Sequence, residues 1–148
     1  MSRVVNALEG KVRTLLVERR RFVRKRAACE ARLPLGVSLP NEQIDPESEE
    51  YPQPIMGHTR DVSLTGFSLV LPTTRLGSEE ISRTGARLRV VLCLPRGIII
   101  VHAETVRCET LTTDDASLAF LIGARIRRMF DSDRRSYETF VRNLSRAS

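Results

Sequence analysis

The sequence lacks several features on which common protein classes depend. Its 148 residues include no tryptophan, only two histidines and three cysteines. No apolar run is long enough to cross a bilayer, and the charged N-terminus does not resemble a secretory signal peptide. The two histidines, His58 and His102, are too few for a histidine-based metal cluster. Because the three cysteines form no CxxC pair and cannot all be paired, we expect a cytoplasmic protein with reduced thiols.

Motifs for catalysis and for nucleoside triphosphate binding are also missing. The sequence contains no GxGxxG, no GxxxxGK[ST] and no GxSxG. His58, Asp61 and Ser63 are the residue types of a catalytic triad. In one regular strand, however, positions 61 and 63 would share a face and position 58 would lie on the other. Cys93 and Cys108 fall in predicted strands, where a thiol is more often part of the core than a nucleophile. We therefore predict no enzymatic activity.

Positive charge is abundant and comes almost entirely from arginine. Lys plus Arg is 24 against 18 Asp plus Glu, and only Lys11 and Lys25 are lysines. Residues 1–32 hold ten basic and three acidic side chains, net +7, whereas residues 33–58 hold five acidic side chains and no Lys or Arg. A rigid guanidinium fork suits bidentate recognition of phosphate groups and guanine edges. A GC-rich genome is the alternative explanation for the excess of arginine over lysine.

The N-terminal part of the chain divides into three segments. Apolar residues recur at three- and four-residue spacing over residues 3–18, which predicts a helix that packs on the domain or on a second copy of the chain. Residues 18–26 (the arginine segment) are too basic for a core element and are either a solvated linker or an anion-binding segment. Residues 40–54 (the acidic loop) are rich in proline and carboxylates and predict an exposed loop. We accordingly divide the chain into an N-terminal helix, residues 1–17, and a domain, residues 18–146.

The rest of the chain has a β pattern that ends in a helix. Residues 27–35 predict a first strand, and alternation of apolar and polar residues predicts further strands at 56–62, 66–71, 86–94, 98–109 and 117–126. Several short strands at close spacing favour an antiparallel barrel over a parallel sheet with crossover helices. A C-terminal helix is predicted over about 132–145, capped by Asp131 or Ser132, with Tyr137 on its apolar face.

Two short motifs carry the binding chemistry. Arg20 and Arg24 form an RxxxR, but chance gives about three such pairs at this arginine content. The stretch Asp61-Val-Ser63-Leu-Thr-Gly66 forms a [DN]xSxxG, for which chance gives only about 0.04 occurrences. The second motif is therefore informative, and the first gains weight from its place ahead of the β domain.

An arginine segment followed by a β domain that carries [DN]xSxxG resembles the PilZ domain, a bacterial receptor module for the second messenger cyclic di-GMP. The resemblance covers about residues 18–146. It implies a mainly β fold, a six-stranded antiparallel PilZ-like barrel with a C-terminal helix, here preceded by the N-terminal helix. It also implies six ligand-binding residues: Arg19, Arg20, Arg24, Asp61, Ser63 and Gly66. Thirty-six residues separate the two motifs, more than is usual in the family, and the acidic loop accounts for the excess.

In the family, an arginine directly before the RxxxR accompanies binding of an intercalated ligand dimer. Arg19 occupies that place. The resemblance therefore implies two cyclic di-GMP molecules per site and no further cofactor.

The side chains fit this ligand on physical grounds as well. Arginine forks pair with phosphate oxygens or with guanine O6 and N7. The Asp61 carboxylate suits the N1–H and N2–H₂ donors of guanine, and Ser63 on the same strand face adds a hydroxyl. Gly66 is expected to provide a turn with positive φ or room for close approach of the ligand. Arg60 and Arg125 are supplementary candidates, and local turn hydrogen bonding is the alternative role for Asp61 and Ser63.

These observations predict a non-enzymatic switch. The ligand would order the arginine segment against the barrel, reorient the N-terminal helix and change its contact with a protein partner or a second copy. One alternative is a small barrel that binds nucleic acid, favoured by the clustered arginines but disfavoured by only seven aromatic residues. Another is a PilZ-like interaction module that has lost ligand binding.

Overall fold

The computed structural model describes residues 28–40 and 53–147. The predicted N-terminal helix, the arginine segment and most of the acidic loop lie outside these residues. In the described part the elements are β1 (Cys29–Glu30), β2 (Pro34–Ser38), β3 (Ile55–Val62), β4 (Gly66–Leu71), β5 (Arg75–Leu76), β6 (Glu79–Glu80), β7 (Arg87–Leu94), β8 (Gly97–Thr112), β9 (Leu118–Met129) and α1 (Asp131–Ala147).

Six of these strands close into an antiparallel barrel. The order around the barrel is β3-β2-β7-β8-β9-β4, and pairing of β3 with β4 closes the ring. β1 pairs with β3 along the edge that β2 also occupies. β5 and β6 form a separate small hairpin. Closure pairs the backbone groups that an open sheet would leave at its two edges. The predicted mainly β, six-stranded antiparallel barrel with a C-terminal helix is confirmed.

Alternation along the strands separates the core from the outer face. In β7, Leu88, Val90 and Leu92 are completely buried, whereas Arg87 is exposed and Arg89 is half-buried. β-branched and leucine side chains from all six barrel strands fill the interior in the same way. The sequence pattern of residues 86–94 therefore predicted the correct inward face.

The predicted first strand is interrupted. Residues 27–35 contain β1 and the start of β2, and both strands pair with β3. At the interruption, the buried Thr59 hydroxyl accepts a hydrogen bond of 2.9 Å from the Leu33 N–H and donates one to the Ala31 carbonyl. A side chain thus satisfies backbone groups that a continuous ladder would have paired.

Helix α1 closes one side of the barrel with Tyr137 and Val141 buried beneath it. The helix begins at Asp131, and the carbonyl of Phe130 accepts the hydrogen bond of the Arg134 N–H at 2.8 Å. The predicted capping by Asp131 or Ser132 is therefore wrong, because both residues are already helical. The carboxylate of Asp133, in the first turn, accepts a hydrogen bond of 3.1 Å from the Ile100 N–H of β8 and so joins the helix to the barrel.

Candidate functional site

A groove of about 790 Å³ crosses the outer face of the barrel at the β3–β4 turn. Its walls come from that turn, from β8 and β9, and from the loop before β7. The three residues that define the [DN]xSxxG motif, Asp61, Ser63 and Gly66, line it. Ala28, two positions after the arginine segment ends, lines it as well. We call this cavity the site groove.

A β-bulge decides where Asp61 faces. The register between β3 and β4 shifts between Thr59, which pairs with Leu69, and Asp61, which pairs with Ser68. The extra residue, Arg60, changes the side on which the following side chain lies. Thr59 consequently faces the interior, whereas Asp61 faces the site groove and is still only 6% exposed.

The same bulge corrects the expectation about His58. His58 pairs with Val70 and lies on the outer face of β3, the face on which Asp61 also lies. Regular alternation predicts that His58 and Asp61 lie on opposite faces, and the bulge makes this prediction wrong. His58 does not, however, line the site groove.

Ser63 organises the turn that follows β3. Its hydroxyl donates to the Gly66 carbonyl at 3.1 Å and accepts from the N–H groups of Gly66 and Thr65 at 3.2 and 3.4 Å. The Ser63 N–H also donates to the Gly66 carbonyl at 2.8 Å. The local hydrogen bonding considered as an alternative for Ser63 is therefore present.

Gly66 is required by close packing and not by its backbone angle. Positive φ among the described glycines occurs at Gly77, Gly85 and Gly97. Of the two roles expected for Gly66, the turn with positive φ is therefore wrong, and room for close approach of the ligand stays a prediction. A Cβ atom on Gly66 would instead lie 2.3 Å from the carbonyl oxygen of Ala124 on β9. The motif glycine thus lets β4 approach β9 along one wall of the site groove.

Tyr137 holds the turn from inside the barrel. Its hydroxyl donates to the Ser63 carbonyl at 2.6 Å and lies 3.3 Å from the Gly66 carbonyl. Its ring meets the Phe67 ring edge-on, with centroids 6.4 Å apart. Burial raises the pKa of Tyr137 above its usual value, so the phenol stays protonated and remains a donor. The sequence had identified Tyr137 only as part of an apolar helix face.

The two supplementary candidates differ in position. Arg125 of β9 lines the site groove, where its guanidinium is ion-paired with Glu104 of β8. Glu104 also lies 3.4 Å from Arg127, so one carboxylate contacts two arginines. Arg60 is not among the groove residues, and its carbonyl accepts from the Ala31 N–H at 3.0 Å.

Sequence reasoning missed Glu104 and Arg107 of β8, which both line the site groove. Alternation in a regular strand would have placed position 107 on the same side as the buried Thr105. A charged side chain at a position that alternation turns toward the interior indicates that the strand is irregular there.

The described residues hold no cluster of His, Cys, Asp and Glu that could bind a metal ion. Within residues 28–40 and 53–147, no helix is both long and apolar enough to cross a membrane. The predicted cytoplasmic location stays a prediction.

A family model for the PilZ domain matches residues 18–145. No curated protein matches the chain. Among solved structures, the PilZ domain of YcgR from Escherichia coli, determined with c-di-GMP, is similar at a TM-score of 0.56 and 12% identity. The similarity covers 81% of this chain and 89% of that domain.

Two larger proteins share the same fold. MrkH from K. pneumonia in its apo state has a TM-score of 0.59 at 19% identity, covering 78% of this chain and 47% of that one. The Bacillus subtilis inhibitor of motility MotI/DgrA has a TM-score of 0.55 at 15% identity, covering 82% and 50%. The present chain therefore spans about half the length of these two proteins.

Proposed function

The chain belongs to the PilZ domain family, and we propose on that premise that it is a non-enzymatic receptor for cyclic di-GMP. PilZ domains are generally non-catalytic receptors of this ligand. One observation carries the proposal for this chain: Asp61, Ser63 and Gly66 line a single groove that Ala28, next to the arginine segment, also lines. The E. coli domain with the same fold was determined with c-di-GMP.

The charges of the site suit a ligand with two phosphodiesters and two guanines. In the proposed complex Arg19, Arg20 and Arg24 pair with phosphate oxygens or guanine edges, because the guanidinium fork matches both. The Asp61 carboxylate accepts from guanine N1–H and N2–H₂. Ser63 and Gly66 contribute the turn against which the ligand lies. With Arg19 ahead of the RxxxR, the proposed ligand is an intercalated dimer.

The proposed response is ordering of the arginine segment. Its positive charges repel one another until the anionic ligand neutralises them. Ordering of this segment would reorient the residues before it and change their contact with a protein partner or with a second copy of the chain. Hydrogen exchange at residues 14–26 should slow when cyclic di-GMP is added, and unchanged exchange with binding established would contradict this response.

Isothermal titration with cyclic di-GMP tests the receptor function. We expect saturable binding of two ligands per protomer, with weaker binding of the linear dinucleotide and of cyclic di-AMP. Saturation at one ligand per protomer would contradict binding of an intercalated cyclic di-GMP dimer. Substitution of Asp61 by Ala should weaken binding by roughly 10-fold or more, because a hydrogen bond to a charged acceptor contributes about 1.5–3 kcal/mol.

The double substitution Arg20→Ala with Arg24→Ala should abolish guanine-selective binding. Arg142→Ala with Arg146→Ala is the matched control, because it removes two arginines at the same spacing from exposed positions of α1. Equal effects of the two double substitutions would show that only net charge matters.

The nucleic-acid-binding alternative is favoured by the net charge of +6. It predicts graded binding of an oligonucleotide that falls steeply with salt and only partly with each arginine removed. Saturable, guanine-selective binding of the cyclic dinucleotide would exclude it as the main activity.

A further inference from the structure

One row of the outer barrel face runs along the floor of the site groove. Asp61 of β3 pairs with Ser68 of β4, Ser68 pairs with Gly123 of β9, and Gly123 pairs with Arg107 of β8. All four line the groove. Three strand spacings of about 4.8 Å separate the two ends of the row by about 14 Å along the sheet. The row therefore places a carboxylate and a guanidinium at opposite ends of a floor made of a hydroxymethyl group and a glycine.

A β-bulge aims Arg107 at this floor. Thr105 pairs with Ala124 and Arg107 pairs with Gly123, so Val106 is the extra residue in β8. Thr105 is buried, and its hydroxyl donates to the Ile81 carbonyl at 2.7 Å. The inserted residue moves Arg107 from the inner face to the outer face of the barrel.

Gly123 provides the space in which Arg107 lies. A Cβ atom on Gly123 would be 3.2 Å from Arg107 Cγ and 3.3 Å from its Nε. Gly123 has no positive φ, so its backbone does not demand glycine. The close approach keeps the guanidinium near the floor of the groove. Arg125 is ion-paired with Glu104. No carboxylate among the described residues forms an ion pair with Arg107.

We infer that Arg107 is a guanine-selecting residue of the site groove, an inference that rests on the proposed cyclic di-GMP receptor function. A purine lying over Ser68, between Asp61 and the Arg107 side chain that covers Gly123, would present its N1–H and N2–H₂ donors to Asp61 and its O6 and N7 acceptors to the Arg107 fork. Guanine matches both ends of the row. Adenine has an amino donor in place of O6 and lacks the 2-amino group, so it mismatches both.

Titration of cyclic di-GMP into the full chain and its variants tests this inference. Arg107→Ala should weaken binding by roughly 5- to 150-fold, the factor that corresponds to the base discrimination typical of one bidentate arginine–guanine contact. It should also reduce the preference for cyclic di-GMP over cyclic di-AMP. Arg107→Lys keeps the charge but loses the planar fork, so it should restore little of the affinity. Arg89→Ala, at a half-buried arginine of β7 outside the groove, is the matched control and should bind as the unsubstituted chain does.

Gly123→Ala tests the same geometry without removing the guanidinium. The added methyl group should displace Arg107 and weaken binding by a smaller factor than Arg107→Ala does. Thermal unfolding midpoints of all variants should stay within a few degrees of one another, because Arg107 and Gly123 lie on the outer face.

The outcomes separate the inference from the function on which it rests. If the unsubstituted chain binds and Arg107→Ala binds within twofold of it, the inference is wrong and the receptor function stands. If Arg107→Lys binds as tightly as the unsubstituted chain, Arg107 acts only as a point charge and does not select guanine. If the unsubstituted chain does not bind cyclic di-GMP, both the receptor function and the role of Arg107 are overturned.

Discussion

The hydroxyl of Tyr137 donates a hydrogen bond of 2.6 Å to the backbone carbonyl of Ser63. This contact joins the C-terminal helix to the turn of the [DN]xSxxG motif. It lies beneath the site groove, whereas Asp61 and the Ser63 side chain line the groove itself. The shape of the turn therefore depends on a residue that does not line the groove.

Substitution of Tyr137 by Phe should destabilise the fold and loosen the turn. The variant keeps the buried ring but removes the donor to the Ser63 carbonyl, a loss of about 1–2 kcal/mol in the free energy of unfolding. Urea denaturation measures the change. Ser136→Ala is the control, because its exposed hydroxyl donates only to the Ser132 carbonyl of the same helix. Equal stability of Tyr137→Phe and the unsubstituted chain would show that the hydrogen bond contributes nothing.

Stability should fall as the pH rises above about 10. The pKa of Tyr137 is raised in the folded state by burial, from an ordinary value of 10.0. Above that ordinary value the unfolded chain loses the phenol proton while the folded chain retains it, so unfolding becomes more favourable with increasing pH. Denaturation curves at pH 9 to 11.5 measure the slope. The slope should be shallower in Tyr137→Phe, and identical slopes would contradict the assignment.

Substitution of Gly66 by Ala should cost about 1–3 kcal/mol of stability, because the methyl group meets the Ala124 carbonyl and not a movable side chain. The strands β4 and β9 would have to separate locally, which would also alter the groove wall. Chemical denaturation and cyclic di-GMP titration measure the two effects. Gly36→Ala is the control, since its nearest neighbour is the flexible Met56 side chain at 3.4 Å. The packing explanation fails if both alanine variants are equally stable.

Substitution of Glu104 by Gln should tighten the binding of cyclic di-GMP several-fold. The carboxylate pairs with Arg125 and Arg127 and places a negative charge in the groove. Its removal frees Arg125 for the ligand phosphates and removes a repulsion. Titration at two salt concentrations should show the larger gain at the lower one. Glu109→Gln on the same strand is the control. Unchanged or weaker binding in Glu104→Gln would contradict the role assigned to this ion pair.

The bounds of most barrel strands were predictable from the sequence, and the bulges within the strands were not. The predicted bounds of β4 agree with the structure, and those of β3 and β7 agree to within one residue. β8 and β9 run further than predicted, and the pairing between them is interrupted by register shifts. The short hairpin of β5 and β6 was missed, because two residues in each strand carry no detectable alternation.

The sequence by itself determined the barrel, the C-terminal helix and the motif at positions 61, 63 and 66, because alternation and motif spacing are local properties of the chain. Only the tertiary structure decided which way Asp61 and Arg107 face, since each follows a bulge that appears only when two strands pair. It also decided why position 66 is glycine and what Tyr137 binds. Those answers depend on atoms of Ala124 and Ser63, which come into contact only when distant parts of the chain pack together.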